Sequence, residues 1–298
     1  MSAKMAYWIC AYANNQHDAA GDIGVDPSES AFRKAMRLCQ GTVAIVDTNA
    51  ISFTRIWCCY EMYCTLEDKA DKLFDISTAT PSSNSAVVLT DGLTTQDKLE
   101  GKEPHWEHRG KAFGVKLERE KSFPLEVFQH AFNVKLQDGQ ATRDEDRRRI
   151  LNAIVGRSIS ELDALEPVTD HERYDEANKA LRWRLGMGAL LLLSETSRDD
   201  ESGSLLLEQV LSLPAPRAWS EHCVDTYRSM FEALEAVGNY QLALRVRQRC
   251  LELERATTFG EPHRDVARSL HEIGAMHWRL GQYDAALEPG DGAGAAAG

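Results

Sequence analysis

The segment Ala236-Val237-Gly238-Asn239-Tyr240-Gln241-Leu242-Ala243-Leu244 returns 43 residues later as Arg279-Leu280-Gly281-Gln282-Tyr283-Asp284-Ala285-Ala286-Leu287. A recurrence at such a period restricts the fold severely, because one unit cannot bury its apolar face alone and must stack on a neighbour. In both copies a small-residue turn separates two amphipathic helical patterns. Gly238 and Gly281 permit the tight turn, and Tyr240 and Tyr283 are expected to pack into the next helix. From about residue 170 onward strand signals are missing. Helical patterns cover Glu172 to Leu193, Gly203 to Leu213, Arg217 to Ala236, Gln241 to Arg255 and Arg264 to Leu280. The expected architecture of this half is a helical solenoid. The run Pro289 to Gly298 is low-complexity and expected to be disordered; it begins where the second helix of a repeat should continue, so the array is expected to be cut short there.

These residues resemble tetratricopeptide repeats of the kinesin-light-chain type. That subtype carries a Gly-x-x-His element between repeats, and Gly260 and His263 stand at this spacing. The likeness is specific over Tyr227 to Leu287, one full repeat and most of a second; residues 172 to 213 are read as a degenerate preceding helix pair. The resemblance implies a groove that binds a protein or peptide partner.

The first 140 residues alternate strand and helix signals instead. Ala6 to Tyr12 is aromatic-rich and strand-like. Asp26-Pro27-Ser28-Glu29-Ser30 marks a helix start, with Ser28 or Ser30 as the cap, and Phe32, Ala35, Met36 and Cys39 follow at helical spacing. Thr42 to Asp47 is a short apolar, β-branched run that predicts a buried parallel strand. A helix is expected from about Thr54 to Lys69, a strand over Ala86 to Thr90, a helix or turn near Phe123 to Phe128, and a strand over Ala131 to Leu136. Such alternation predicts a parallel sheet with helices packed on it. Residues 143 to 165 form a further helix, read as a linker or as the last helix of the preceding domain; its first turn holds Asp144, Glu145 and Asp146, which complement the helix dipole, and its apolar stripe is Ile150, Leu151, Ile154 and Val155.

A strand, a loop and a helix bearing an acid is where an α/β sheet usually places its ligand. Here Glu61 follows Trp57 by one helical turn. The run Thr54-Arg55-Ile56-Trp57-Cys58-Cys59-Tyr60-Glu61-Met62 resembles the Ser-x-Trp-Cys-x-x-Glu-Leu motif of the Toll/interleukin-1-receptor (TIR) family, with Ile56 added before Trp57 and Met62 in place of leucine. The likeness covers roughly 90 to 140 residues and is also similar to TIR-like domains coupled to tetratricopeptide arrays in protist signalling proteins. It implies a flavodoxin-like parallel sheet. The chain starts with what should be the second strand, so the family's central first strand is expected to be missing.

In catalytic members of that family the matching glutamate supports cleavage of NAD at the nicotinamide–ribose bond. Departure of nicotinamide builds oxocarbenium-like charge on the ribose, which a carboxylate can stabilise. By this resemblance Glu61 is the candidate catalytic acid. Trp57 is a candidate for stacking on a base or ribose, or else a buried Trp on the sheet-facing side of its helix. Arg55 is a candidate phosphate contact, or else an exposed partner for an acid. His17 and Asp18 sit in a polar loop and are read as solvated.

Composition removes other classes. The net charge of −12 opposes nonspecific attachment to nucleic acid or anionic lipid. Seven cysteines without zinc-ribbon spacing or an even framework fit reduced, buried thiols of a cytoplasmic protein, with no metal expected. The longest apolar run, Met187 to Leu193, is too short for a membrane span. Gly21-Asp22-Ile23-Gly24 lacks the third glycine of a dinucleotide loop, and the phosphate-binding loop of nucleotide triphosphatases is missing. His105-Trp106-Glu107-His108 lies between Pro104 and Gly110 and is read as a loop, and Arg147-Arg148-Arg149 as a solvated helix face.

The expected organisation is a TIR-like α/β domain over residues 1–140, a linker helix over 141–170, helical repeats over 171–288 and a tail over 289–298. The expected function is signalling or adaptor binding, with partners held by the repeats and homo-oligomerisation through the front domain. The alternative is NAD glycohydrolysis, with NAD as substrate and no cofactor required.

Overall fold

The computed structural model describes residues 7, 9, 26–68, 72–79, 85–101, 109–167, 170–196, 201–214, 220–258 and 263–287. The chain divides into two compact units. One comprises Met1–Asp91 and Pro124–Arg182, the other Gly92–Phe123 and Trp183–Gly298.

The first unit opens with a 3-10 turn, Pro27–Glu29, capped by Asp26, whose carboxylate accepts from the Ser28 backbone N–H. Helix α1 follows (Ala31–Leu38). Its cap position is Ser30, whose hydroxyl turns back to the Pro27 carbonyl at 2.7 Å rather than capping the helix. The described sheet has three strands, β1 (Gly41–Val46), β2 (Leu73–Ala79) and β3 (Ala86–Leu89), in the order β1-β2-β3. β1 pairs parallel to β2, but β2 pairs antiparallel to β3. The sheet is therefore mixed, not the purely parallel one expected. Its middle strand, β2, is an addition to the expected strands; it alternates buried and more exposed residues instead of forming a continuous apolar run. Tyr7 and Ile9 belong to no strand or helix, and the rest of the expected strand at Ala6 to Tyr12 lies outside the described residues, as do His17, Asp18, Gly21 to Gly24 and His105 to His108.

Helix α2 (Ile56–Asp68) follows β1 and occupies the span expected for it. Ile56, Tyr60 and Cys64 lie one turn apart and enter a core with Phe32, Ile150, Leu151, Ile154 and Tyr174. Helices α3 (Thr95–Glu100) and α4 (Arg109–Glu120) belong to the second unit and were not foreseen. Helix α5 (Leu125–Phe132) stands where a helix or turn was expected near Phe123 to Phe128, and it takes in Ala131 and Phe132; a turn and a 3-10 helix at Leu136–Asp138 follow in place of the strand expected at Ala131 to Leu136. The spacing Val127, Phe128, Ala131, Phe132 is helical, all four are buried, and that period outweighs the short apolar run. Helix α6 (Asp144–Ile154) supplies Ile150, Leu151 and Ile154 to the core of the first unit, so it is built as part of that unit. Helix α7 spans Glu172–Thr196. No helix among the described residues is long and apolar enough to cross a membrane.

In the second unit, the part of α7 from Trp183 onward is followed by α8 (Glu201–Leu211), α9 (Ser220–Ala236), α10 (Tyr240–Thr257), α11 (Arg264–Arg279) and α12 (Tyr283–Leu287). All match expected helical patterns to within a few residues. The two repeat turns are the same structure. Gly238 and Gly281 adopt φ of 78° and 73°, the left-handed region that glycine tolerates. The Asn239 and Gln282 N–H groups donate back to Leu234 and His277 carbonyls at 2.9 Å, and those of Gly238 and Gly281 to Glu235 and Trp278 at 3.0 Å. This paired pattern closes a helix end with its last carbonyls satisfied. An Ala at either glycine is strained by its φ alone.

Helices α3 and α4 form a hairpin within this unit. Gly101 allows it: a Cβ there would stand 2.5 Å from the Ala112 backbone nitrogen. Arg119 grips Asp97 with two hydrogen bonds, at 3.1 and 2.8 Å, while Lys116 and Glu120, each 1% exposed, pair at 2.6 Å. Helix α4 packs against α9.

Candidate functional site

Glu61 occupies the second turn of α2 and is half-buried. Burial pushes its carboxyl up to about 7, while the Arg55 guanidinium pulls the other way. Arg55 is exposed and stands just before α2, where Ile56 N–H donates to the Gln140 carbonyl at 2.8 Å and Gln140 N–H to the Thr54 carbonyl at 2.7 Å. These bonds hold the start of α2 against the segment after α5. One turn beyond Glu61, the Thr65 hydroxyl reaches the Glu61 carbonyl at 2.9 Å and the Thr42 hydroxyl of β1 at 2.7 Å.

Trp57 is engaged elsewhere. Its ring meets Phe32 edge-on at 5.2 Å and Tyr60 at 6.3 Å, and its indole N–H donates to Asp146 at 3.3 Å. It therefore bridges α1, α2 and α6, rather than lying on the sheet as expected. A stacking surface for a base would require pulling it from that packing. The cysteines of this helix are packing groups. Cys59 is fully buried with its thiol pushed up to about 12 by burial, and it donates to the Phe53 carbonyl. No metal-holding cluster occurs among the described residues.

The carboxyl of Glu61 makes stability pH-dependent with a definite sign. Its folded value, about 7, exceeds the ordinary 4.5, so ionisation penalises the folded state. The penalty is absent below about pH 4.5, where the group is neutral folded and unfolded, and grows as pH rises through 7. Between pH 5 and 9 this group is expected to cost the protein on the order of 2 kcal/mol. Glu61→Gln removes that cost, so urea unfolding should show the substituted protein gaining on wild type as pH rises. An identical pH slope for both proteins would remove the perturbed carboxyl from the account.

A polar hollow of about 410 Å³ lies elsewhere in the first unit, between the segment after α5 and one face of α7. Lys135, Lys179 and Arg182 meet Asp138, Asp170 and Asp175 there. Asn178, 3% exposed, forms its floor; its side chain accepts from the Leu136 N–H at 2.9 Å and donates to Gln137 at 2.9 Å. Glu61, Trp57 and Arg55 do not line it.

In the second unit the helices of the two repeats are clamped by buried charge that sequence reasoning missed. Glu254 of α10, 2% exposed, accepts from Arg228 of α9 at 3.1 and 2.8 Å and from the Ser269 hydroxyl of α11. Arg228 also meets Asp265 at 3.0 Å. Arg247, 1% exposed, pairs with Glu272 at 2.6 Å and lies over the Phe231 ring at 5.4 Å. His263 caps α11, its Nδ1 accepting from the Asp265 N–H at 3.2 Å. Tyr240 packs under the Arg279 guanidinium at 5.1 Å as expected of a repeat tyrosine, whereas Tyr283 is 60% exposed.

Since α11 turns Ser269 and Glu272 towards α10 and Gly274 towards α12, its opposite side is the line Arg264, Arg268, His271, Ala275, Trp278. The two arginines, the histidine and the tryptophan are exposed, Trp278 by 64%. That side is basic and aromatic on a chain of net charge −12.

No curated protein and no solved structure matched the chain. The family model for the tetratricopeptide repeat matches residues 225–290, which contain the paired turns, the buried clamp and this exposed line. Residues 225–290 thus resemble tetratricopeptide repeats, helical modules of the kind that mediate contacts between proteins.

Proposed function

We propose that this chain is a signalling adaptor that binds a protein partner through its tetratricopeptide repeats, with a TIR-like front unit that self-associates. The observation that carries the reading is the match of residues 225–290 to repeats whose second leading helix exposes Arg264, Arg268, His271 and Trp278 along one side. Such a line suits an acidic peptide segment with an apolar anchor, the carboxylates meeting the cations and the anchor lying against Ala275 and Trp278. The kinesin-light-chain subtype is supported by His263, which stands at the expected spacing and caps α11.

The test is selection of peptides from a displayed library on the full chain. Arg268→Glu combined with His271→Glu is expected to weaken the selected peptides at least about tenfold and to make their binding less sensitive to salt. Equal binding by the doubly substituted chain would place recognition elsewhere.

The second reading is NAD glycohydrolysis, and the half-buried Glu61 with its raised carboxyl favours it. In this reading Glu61 stabilises the ribosyl cation and Arg55 meets the pyrophosphate. Trp57, held by Phe32 and Asp146, has a packing role. Release of nicotinamide from NAD by the purified chain, lost in Glu61→Ala, would establish it; equal release by both would dismiss Glu61 as the acid.

A further inference from the structure

We propose that β1 is the self-association element of the front unit: two copies of this chain pair antiparallel through β1 to form one continuous six-stranded sheet. The inference rests on the self-association part of the proposed function and gives it a surface. β1 is an outer strand of the described sheet, and β2 covers one of its sides only. An outer strand offers unpaired N–H and C=O groups, which proteins ordinarily guard with lysine, proline, a bulge or a covering element. β1 reads Gly-Thr-Val-Ala-Ile-Val, six residues without charge or proline.

Its side chains divide by the strand period. Val46 on one face is buried, and Thr42 on that face bonds Thr65 of α2. Val43 and Ile45 on the other face are 48% and 77% exposed. On that face their partners in β2 are Asp75 and Ser77, with Leu73, 47% exposed, at the start of β2, so the middle of the apolar strip belongs to the edge strand. The Ser52 hydroxyl reaches the Ile45 carbonyl at 3.2 Å, which marks the backbone groups of Val43 and Ile45 as turned away from β2.

These positions are self-complementary. A twofold axis at Ala44 sets Val43 opposite Ile45 of the second copy, and Thr42 opposite Val46 of the second copy. In that register the outward backbone groups of Val43 and Ile45 exchange hydrogen bonds across the axis, as the close pairs of an antiparallel ladder require. The two exposed β-branched residues meet directly, the arrangement that stabilises cross-strand pairs. The Ile45 carbonyl has two lone pairs and can keep Ser52 while accepting a second donor. A second copy satisfies this edge better than an acidic peptide does, since the strip holds neither cation nor polar side chain.

Sedimentation of the full chain is expected to show a dimer at micromolar concentration. Ile45→Lys and Val43→Lys, at exposed positions, are expected to weaken it at least about tenfold while leaving unchanged the urea midpoint measured at a dilution where wild type too is monomeric. The register has its own readout. Opposed residues of a close pair stand about 5.5 Å apart at Cα, within disulfide range. Chains carrying Val43→Cys mixed with chains carrying Ile45→Cys should therefore cross-link on mild oxidation faster than either alone. A monomeric wild type overturns the proposal. A dimer indifferent to both lysines also overturns it, while leaving self-association through another surface standing. Peptide capture by the repeats is unaffected by either result.

Discussion

Glu254→Ala is expected to destabilise the repeat unit by about 3–5 kcal/mol, which for most domains is a large share of the total. The carboxylate is 2% exposed and is the meeting point of three helices: Arg228 comes from α9, Ser269 from α11 and Glu254 itself from α10. Removing it leaves the Arg228 guanidinium with Asp265 and Asp225, both on the solvent side, and leaves the buried Ser269 hydroxyl without its acceptor. The cost is chiefly that of stranded polar groups, since a buried pair in place gains little over an apolar pair of the same shape. Glu252→Ala, two residues away, is the control. Glu252 is exposed and pairs with Arg249, itself partly exposed, so its loss is expected to fall within about 0.5 kcal/mol. The check is urea unfolding of both proteins followed by helical signal. Equal midpoints for the two substitutions would show that the cluster carries no special weight.

This clamp explains why the repeats were legible in sequence while their cohesion was not. Gly238 and Gly281 announce themselves locally, because a left-handed turn after a helix needs glycine. Arg228, Arg247, Glu254 and Glu272 instead look like ordinary charges on helical faces, and only the stacking of three helices buries Arg247 and Glu254 and half-buries their partners Arg228 and Glu272. Helix α4 fails for the same reason. Its buried stripe runs Ala112, Phe113, Lys116, Glu120, and no pattern rule marks a lysine and a glutamate as interior. Strand β2 is a different failure. Phe74, Ile76 and Thr78 are buried and alternate with half-exposed Asp75 and Ser77, a legible period of two that a search for continuous apolar runs passes over. The apolar run at β1 was found, but a run buried on both faces was expected, and Ile45 at 77% exposure shows one face open. For the candidate site, the Trp-x-x-x-Glu spacing gave the helix and its position after β1. It could not give the fate of Trp57, which Phe32 and Asp146 settle from elements 25 residues before it and 89 after.

Ile150→Ala is expected to cost the first unit about 2–5 kcal/mol, because α6 is a wall of its core rather than a tether. Ile150 is fully buried among Ile56, Tyr60, Phe32 and Tyr174, so truncation removes apolar contacts and leaves a cavity that helices on several sides cannot all close. Polar bonds fix α6 in the same place: Asp146 accepts from the Trp57 indole at 3.3 Å, and the Leu151 carbonyl accepts from the Tyr174 hydroxyl at 3.1 Å. Those bonds hold the cavity open instead of letting α6 slide in, which puts the expected loss in the upper part of the range. Ile159→Ala supplies the contrast, since Ile159 follows α6 in sequence yet is 65% exposed and should cost little. Hydrogen exchange reads the difference at the α2 amides that pack on Ile150. Faster exchange there in Ile150→Ala, with Ile159→Ala unchanged, makes residues 144–154 structural members of the first unit. A loss below about 1 kcal/mol for Ile150→Ala would instead mean that α6 is a linker resting on a core that closes without it.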